Sequence, residues 1–115
     1  MGDGPDSSFV HALDLSGKHL WAAKVGKPGG GSGHPGPRCT PTVEGDSVYA
    51  IGQHGDLVCL EAATGKERWR KHLVKDFDGQ MMSGWGYAES PLVDGDKLVC
   101  TPGGPQGTIS TKLRR

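Results

Sequence analysis

The residues of this chain that could do chemistry are five histidines, three cysteines and a few carboxylates and aromatic rings. No two histidines have the spacing of an H-E-x-x-H motif. They are His11, His19, His34, His54 and His72. The cysteines, at 39, 59 and 100, include no C-x-x-C pair and no adjacent pair, which excludes the short zinc motifs. Without a G-x-S-x-G segment either, the sequence brings no catalytic trio together.

The segment 73–88, L-V-K-D-F-D-G-Q-M-M-S-G-W-G-Y-A, concentrates large apolar side chains where a simple linker would be polar. Glycines around Trp85 would let this loop pack closely against the rest of the molecule. Trp85 and Tyr87 are therefore candidates for facing a ligand at the central mouth of the fold that is predicted below. The alternative, favoured because aromatic rings serve chiefly for burial, is that the loop fills space between structural units. Asp76 and Asp78 could offer oxygen ligands to a hard cation, but such a pair beside a glycine is usually solvated.

The elements that must position these side chains are short β-strands. Between residues 40 and 71, four runs rich in Val, Ile and Leu are each too short for a helix. Gly-Asp and Thr-Gly pairs separate them and suit tight hairpin turns. The predicted strands are 40–43, 47–51, 57–61 and 66–71. An antiparallel meander of this size corresponds to one blade of a β-propeller.

Two segments of the chain recur at nearly the same period. A-L-D-L-S-G-K-H-L-W, ending at Trp21, aligns with C-L-E-A-A-T-G-K-E-R-W, ending at Trp69, after one deletion in the turn; the tryptophans are 48 residues apart. T-P-T-V-E-G-D-S-V-Y aligns with S-P-L-V-D-G-D-K-L-V, and their prolines, Pro41 and Pro91, are 50 residues apart. Periods of this size are typical of propeller blades.

These repeats divide the chain into half a blade, a complete blade and half a blade. The predicted units are a disordered N-terminus (1–8), the last two strands of a blade (9–25), a Gly/Pro loop (26–38), a complete blade (39–72), an aromatic crossing loop (73–88), the first strands of a next blade (89–109) and a tail (110–115). The Gly/Pro loop lacks the Gly-Lys-Ser/Thr ending of a phosphate-binding loop. A closed propeller has about four to eight blades, so we expect an all-β, incomplete propeller that is a fragment of a longer one.

Composition excludes several classes of partner. The 115 residues include 13 Lys plus Arg and 13 Asp plus Glu, so the formal net charge is zero and no basic face favours nucleic acid. No apolar run approaches the ~18 residues of a membrane helix, so membrane insertion is not expected. The N-terminal residues are polar and lack the pattern of a signal peptide.

The paired turn segments resemble the A-x-D-x-x-T-G-x-x-x-W repeat of pyrroloquinoline-quinone-like (PQQ-binding-like) β-propellers. The resemblance covers nearly all of residues 9–109. In that family the tryptophan docks against the neighbouring blade, which implies this role for the two repeat tryptophans and turn roles for the other motif positions. The motif residues here are Asp14, Gly17, Trp21, Thr64, Gly65 and Trp69.

The same resemblance implies two functions. Some relatives are non-catalytic scaffolds, including an outer-membrane assembly lipoprotein, and a recognition or scaffold role is the leading expectation. The alternative is a fragment of a PQQ-dependent quinoprotein dehydrogenase that oxidises alcohols. Those enzymes hold the quinone with Ca²⁺ and a vicinal disulfide, whereas this chain has no adjacent cysteines and no asparagine. PQQ and calcium are therefore implied by resemblance only, and no catalytic residue or metal ligand is assigned.

The expected partners follow from the incomplete propeller. Unpaired strand edges would remain at both ends and promote association. We expect them to meet the remaining blades of a longer propeller or other copies of this chain, and a protein partner is possible for the assembled face. The resemblance also suggests an exported, periplasmic bacterial protein.

Overall fold

The computed structural model describes residues 1–4, 6–28, 39–77, 87, 90–101 and the backbone of 111–114. Within these ranges the chain forms ten strands and one short helix. The elements are β1 (Gly2–Asp3), β2 (Ser8–Leu13), β3 (His19–Gly26), β4 (Thr42–Glu44), β5 (Ser47–Ile51), β6 (Asp56–Glu61), β7 (Glu67–His72), α1 (Leu73–Phe77), β8 (Leu92–Asp94), β9 (Lys97–Cys100) and β10 (Thr111–Arg114). They build three antiparallel sheets, as the all-β blade architecture predicts.

The central sheet is the four-stranded meander β4-β5-β6-β7. Each strand pairs with the next in antiparallel register, for example Val48 with Leu60 and Cys59 with Trp69. The predicted strands agree with these bounds to within two residues, because hairpin turns separate runs of β-forming residues. The predicted four-stranded antiparallel meander is thereby confirmed.

The core of the molecule lies around β5 and β6. All five residues of β5 are buried, and so are the four residues from Leu57 to Leu60 in β6. A sheet covered on one face alternates buried and exposed positions along each strand. Burial without alternation therefore means that both faces of the central sheet are covered by neighbouring parts of the chain.

The first sheet has the strand order β1-β2-β3. Its β1 lies in the part of the chain where disorder was expected: Gly2 pairs with Phe9, and Asp3 with Ser8. The Ser8 hydroxyl also donates a hydrogen bond to the Asp3 carboxylate. The structure thus differs from the disorder expected for residues 1–8, because backbone pairing and this side-chain hydrogen bond hold β1 against β2.

The third sheet has the order β8-β9-β10 and differs similarly from the expected tail at 110–115. β10 pairs along the whole of β9, from Thr111 opposite Cys100 to Arg114 opposite Lys97. An exposed strand edge offers unpaired backbone groups that a short segment can satisfy. The segments predicted as half a blade, a complete blade and half a blade therefore form sheets of three, four and three strands.

The helix α1 follows β7 directly and opens the predicted crossing loop. Leu73 is fully buried, and its backbone N–H donates to the carbonyl of Gly55 at 2.7 Å. The Asp76 carboxylate accepts a hydrogen bond from the backbone N–H of His72 at 2.6 Å. Local hydrogen bonding thus fixes the start of this segment against the central sheet.

Candidate functional site

The two repeat turns are closed by corresponding pairs of backbone hydrogen bonds, and the second turn is one residue longer than the first. In the first sheet, the Asp14 N–H donates to Lys18 O at 2.9 Å, and the Gly17 N–H to Asp14 O at 3.0 Å. In the central sheet, the Glu61 N–H donates to Lys66 O at 2.7 Å, and the Gly65 N–H to Glu61 O at 2.8 Å. Gly17 and Gly65 have positive φ angles of 88° and 77°. This conformation is strained for a residue that carries a side chain.

Polar side chains reinforce each turn differently. Asp14 Oδ1 accepts hydrogen bonds from the Ser16 hydroxyl at 2.7 Å and from the backbone N–H groups of Ser16 and Lys18, both at 2.9 Å. Chiefly because of the Ser16 hydroxyl, the pKa of Asp14 is lowered. In the second turn the Thr64 hydroxyl donates to Glu61 at 3.0 Å and accepts from the Lys66 N–H at 3.2 Å. Asp14 and Thr64 therefore act in turn formation.

Trp21 connects the first sheet to the central sheet. Its indole Nε1 donates a hydrogen bond to Ala62 O at 2.9 Å. Its ring lies on Gly65 so closely that a Cβ placed there would be 2.6 Å from Cδ2 and from Cε3. The glycine is therefore needed for two reasons, its positive φ and the approach of the indole. This contact supports the docking role that the resemblance implies for Trp21, and that role stays a prediction.

Arg70 makes a second connection between the same two sheets, which sequence reasoning missed. Its guanidinium donates to the carbonyl of Lys24 at 3.1 Å and to that of Val25, both on β3. It is also paired with Asp56 at 3.1 Å and Glu67 at 2.8 Å. Only the strand register brings these groups together, so the sequence carried no local signal for the contact.

Trp69 has a different environment from Trp21. It lies at an angle against Tyr49, with ring centroids 6.2 Å apart, and remains half-buried. A cavity of about 550 Å³ opens beside the ring and is lined by Glu44, Gly45, Asp46, Ser47, Tyr49, Cys59, Arg68 and Trp69. We call this cavity the Trp69 pocket.

Two charged groups of the Trp69 pocket, Arg68 and Asp46, are paired with each other. Arg68 donates to Asp46 at 3.0 Å and to the Ser47 hydroxyl at 2.6 Å. The hydrogen bond from Arg68 is the main cause that lowers the pKa of Asp46, and the same bond raises the pKa of Arg68. Burial raises the pKa of the Cys59 thiol and of Tyr49. A neutral thiol and a paired guanidinium can bind and pack, but they offer no activated nucleophile.

Of the two predicted ligand-facing residues, Tyr87 is among the described residues and Trp85 is not. Tyr87 is 6% exposed; its backbone N–H donates to Gln53 O at 2.9 Å, and a Cβ on Gly55 would lie 3.1 Å from its ring. Tyr87 thus packs against the turn between β5 and β6. Trp85 lies outside the described residues, so the ligand-facing role of this pair stays a prediction.

The histidines and carboxylates are placed as follows. Asp76 bonds the backbone at the start of α1, while Asp78 and His34 lie outside the described residues. The ring nitrogens of His11 and His19 are 3.2 Å apart, a pairing that the sequence spacing did not indicate because it depends on the register of β2 and β3. In the described part of the chain, no group of three or more His, Cys, Asp or Glu side chains could hold a metal ion.

The shifted pKa values predict lower stability at both ends of the pH range. Asp14 and Asp46 have lowered pKa values, so their stabilisation is present above about 3.8 and is lost as pH falls through the folded-state pKa. Cys59 and Tyr49 have raised pKa values, so their contributions are complete below 9.0 and 10.0 respectively and are lost as pH rises through the folded-state pKa. Thermal unfolding followed by circular dichroism across this range measures both limbs.

Two variants separate the limbs of that profile. Asp46→Asn should make the acid limb shallower, with the part that depends on Asp14 retained, and should change the alkaline limb much less. Cys59→Ala should make the alkaline limb shallower, with a part that depends on Tyr49 retained, and should leave the Asp14 part of the acid limb unchanged. If Asp46→Asn left the acid limb as steep as in the parent chain, the Arg68 pairing would not contribute to the acid dependence.

A family profile described as "Outer membrane protein assembly factor BamB" matches residues 6–111. The outer membrane protein assembly factor BamB of Burkholderia pseudomallei is 29% identical over 102 residues, covering 89% of this chain and 25% of the relative. The chain therefore spans about a quarter of that relative's length.

The chain also resembles a solved structure, the quinohemoprotein alcohol dehydrogenase from Comamonas testosteroni. The TM-score is 0.65 at 22% identity, covering 99% of this chain and 18% of that chain. At this identity the likeness shows the fold alone.

Within the described ranges, no helix has the length and apolarity to cross a membrane. The sheets and their tryptophan contact agree with the profile match, which extends over most of the chain. The chain therefore belongs to the family described as outer membrane protein assembly factor BamB, whose members carry PQQ-like β-propeller repeats.

Proposed function

We propose that this chain is a non-catalytic segment of a longer β-propeller and acts as a recognition or scaffold module. The observation that carries the proposal is the contact of Trp21 with the turn at Ala62 and Gly65. The repeat residues form turns and join sheets, so their chemistry is used for architecture. A rigid stack of blades is a suitable support for loops that bind another macromolecule.

The identity of the matched relative supports a protein partner. The protein from Burkholderia pseudomallei is named an outer membrane protein assembly factor. By analogy, we propose that the blades of the present chain contribute to a surface that binds proteins of an assembly complex in the bacterial envelope. An exported, periplasmic location is part of this proposal.

The structural neighbour favours a second candidate, a fragment of a quinone-dependent alcohol dehydrogenase. The donor groups in the described part of the chain do not fit that cofactor site. The three cysteine thiols are buried at separate positions and none is adjacent to another in the sequence. The carboxylates of Asp46, Asp56 and Glu67 form ion pairs with arginines at 2.8 to 3.1 Å. No catalytic step is therefore derived through a quinone.

The two candidates are separated by adding PQQ and Ca²⁺ to the purified chain. Quinone absorbance is measured in the protein fraction after gel filtration, and alcohol oxidation by the reduction of a dye. We expect no retained quinone and no alcohol-dependent dye reduction, with an authentic quinoprotein dehydrogenase as the positive control. Stoichiometric quinone retention would overturn the proposal.

A second arm applies the same assay to a longer polypeptide that contains this segment. A scaffold propeller remains inactive when its other blades are present. If alcohol-dependent dye reduction appeared only in the longer polypeptide, the segment would be part of a dehydrogenase, and the scaffold proposal would be wrong.

A further inference from the structure

A second cavity, of about 540 Å³, lies between the first and central sheets, where β3 and β7 end. Lys24 and Lys27 line it from the first sheet, and Arg70 and Lys75 line it from β7 and α1. Both walls therefore belong to the contact between sheets that Trp21 and Arg70 make. Cavities of this size are typical of small-molecule sites. We call this cavity the β3–β7 cleft.

The charge of the β3–β7 cleft is positive. Its lining has four cationic side chains and two carboxylates, Asp6 and Asp56, which leaves a formal charge of +2 while its two histidines are neutral. The guanidinium of Arg70 is used by Asp56, by Glu67 and by backbone carbonyls of β3. Within the described residues, no ion pair or hydrogen bond engages the ammonium groups of the three lysines. These groups are therefore available to a ligand.

The fold adds two further donors to the lining of the cleft. Ser7 lies just before β2 and is 2% exposed, yet its hydroxyl makes no hydrogen bond with any described residue. Buried hydroxyls are ordinarily hydrogen-bonded, so this one can serve a group that enters the cleft. Nδ1 of His72 accepts from two backbone N–H groups of α1, at 3.2 and 3.3 Å, so the neutral ring carries its proton on Nε2. His54 is already engaged, since its Nε2 lies 3.3 Å from the carbonyl of Pro28.

We propose that the β3–β7 cleft binds a phosphate monoester. Such a group carries a charge of about −1.5 to −2 at neutral pH, which matches the formal charge of +2 in the cleft. Its oxygens accept hydrogen bonds, and the lining supplies donors from three lysines, Ser7 and His72. The inference goes beyond the proposed function and does not depend on it, because both walls of the cleft are described here.

The kind of cation that is available favours phosphate over a carboxylate. A carboxylate is recognised best by the planar fork of an arginine. In the cleft that fork belongs to Arg70, and all three of its guanidinium nitrogens already bond Asp56, Glu67 or carbonyls of β3. Lysine ammonium groups are compact point charges, which suit an anion with two charges and several equivalent oxygens.

The test is calorimetric titration of the 115-residue chain with glycerol 3-phosphate, with inorganic phosphate and with acetate, at constant ionic strength. One double variant joins Lys24→Gln to Lys75→Gln and removes an ammonium group from each wall. The matched control joins Lys18→Gln to Lys66→Gln, which makes the same change of charge in one turn of each sheet, outside the cleft. All four lysines are exposed, so both variants should fold, as a thermal melt would verify.

We expect glycerol 3-phosphate to bind the parent chain at least about tenfold more tightly than acetate. The cleft variant should raise its dissociation constant at least about tenfold, and the control variant by less than about twofold. Ser7→Ala should raise it about threefold or more, because a buried donor to the anion is lost. The inference is overturned if neither phosphate binds, if acetate binds as tightly, or if both double variants lose affinity equally, since net charge alone would then explain the binding.

A phosphate monoester is either soluble or carried by a lipid, and a second arm distinguishes these sources. Co-sedimentation with phosphatidylcholine vesicles that contain phosphatidic acid is compared with vesicles of phosphatidylcholine alone. Vesicle binding that the cleft variant loses and the control variant keeps would assign the phosphate to a lipid, whereas its absence would assign the cleft to a soluble ester. The quinone assay measures cofactor retention and dye reduction, so the two proposals fail separately.

Discussion

Trp21→Ala is expected to lower the free energy of unfolding by about 3 kcal/mol, the lower end of the range for removing a packed Trp. The residue is half-buried, its ring covers Gly65, and its Nε1 bonds Ala62 O at 2.9 Å. Removing the ring leaves the contact between the first and central sheets to Arg70 and to the packing around it. Urea unfolding followed by far-UV circular dichroism measures the loss.

Two controls assign that loss to the indole. Leu20→Ala changes an exposed neighbour on β3 and should alter stability by no more than about 0.5 kcal/mol. Trp21→Phe keeps an aromatic ring but removes the Nε1 donor, so it should cost about 1 kcal/mol in lost hydrogen bonding. If Trp21→Ala were as mild as Leu20→Ala, the indole would not join the two sheets.

Gly65→Ala is expected to cost about 3 kcal/mol. The left-handed backbone, with φ of 77°, costs about 1 to 2 kcal/mol for a residue with a side chain. The new Cβ would also lie 2.6 Å from two ring carbons of Trp21, and overpacking of this kind costs about 1 to 3 kcal/mol. Chemical denaturation measures the sum.

Gly17→Ala is the matched control for this substitution. Gly17 has φ of 88° in an equivalent turn, but a Cβ there meets nothing within 4 Å. Gly17→Ala should cost only the backbone strain of about 1 to 2 kcal/mol. Equal losses at the two glycines would contradict the close approach of Trp21.

The features that sequence could predict are those fixed by local turns and by repetition. Hairpin turns between β-forming runs predicted the central meander. The repeated motif predicted that Trp21 and Trp69 occupy equivalent positions. The motif glycines could be assigned to turns because positive φ is a local requirement.

The features that sequence missed depend on contacts between distant segments. β1 is two residues long and β10 pairs at a strand edge, so neither has a pattern long enough to distinguish a strand from a tail. The approach of His11 to His19 depends on a register irregularity between Ala12 and Leu13. Arg70 reaches across to β3, and no spacing rule predicts a bond between residues so far apart.

The different outcomes for Trp21 and Trp69 show what a repeat motif alone cannot provide. The same position in the same motif is covered by a neighbouring turn in one case and borders a cavity in the other. Sequence equivalence predicts the side chain that docks, whereas the structure is needed to identify the surface that receives it.

The measurement that tests the central claim most directly is a double-mutant cycle of Trp21→Ala and Gly65→Ala. The first and central sheets pack against each other through these two residues. Removing the indole also removes the clash, so Gly65→Ala should cost only about 1 to 2 kcal/mol in the Trp21→Ala background, and the pair should show a coupling of about 1 to 3 kcal/mol. Strict additivity of the two substitutions would contradict the blade contact.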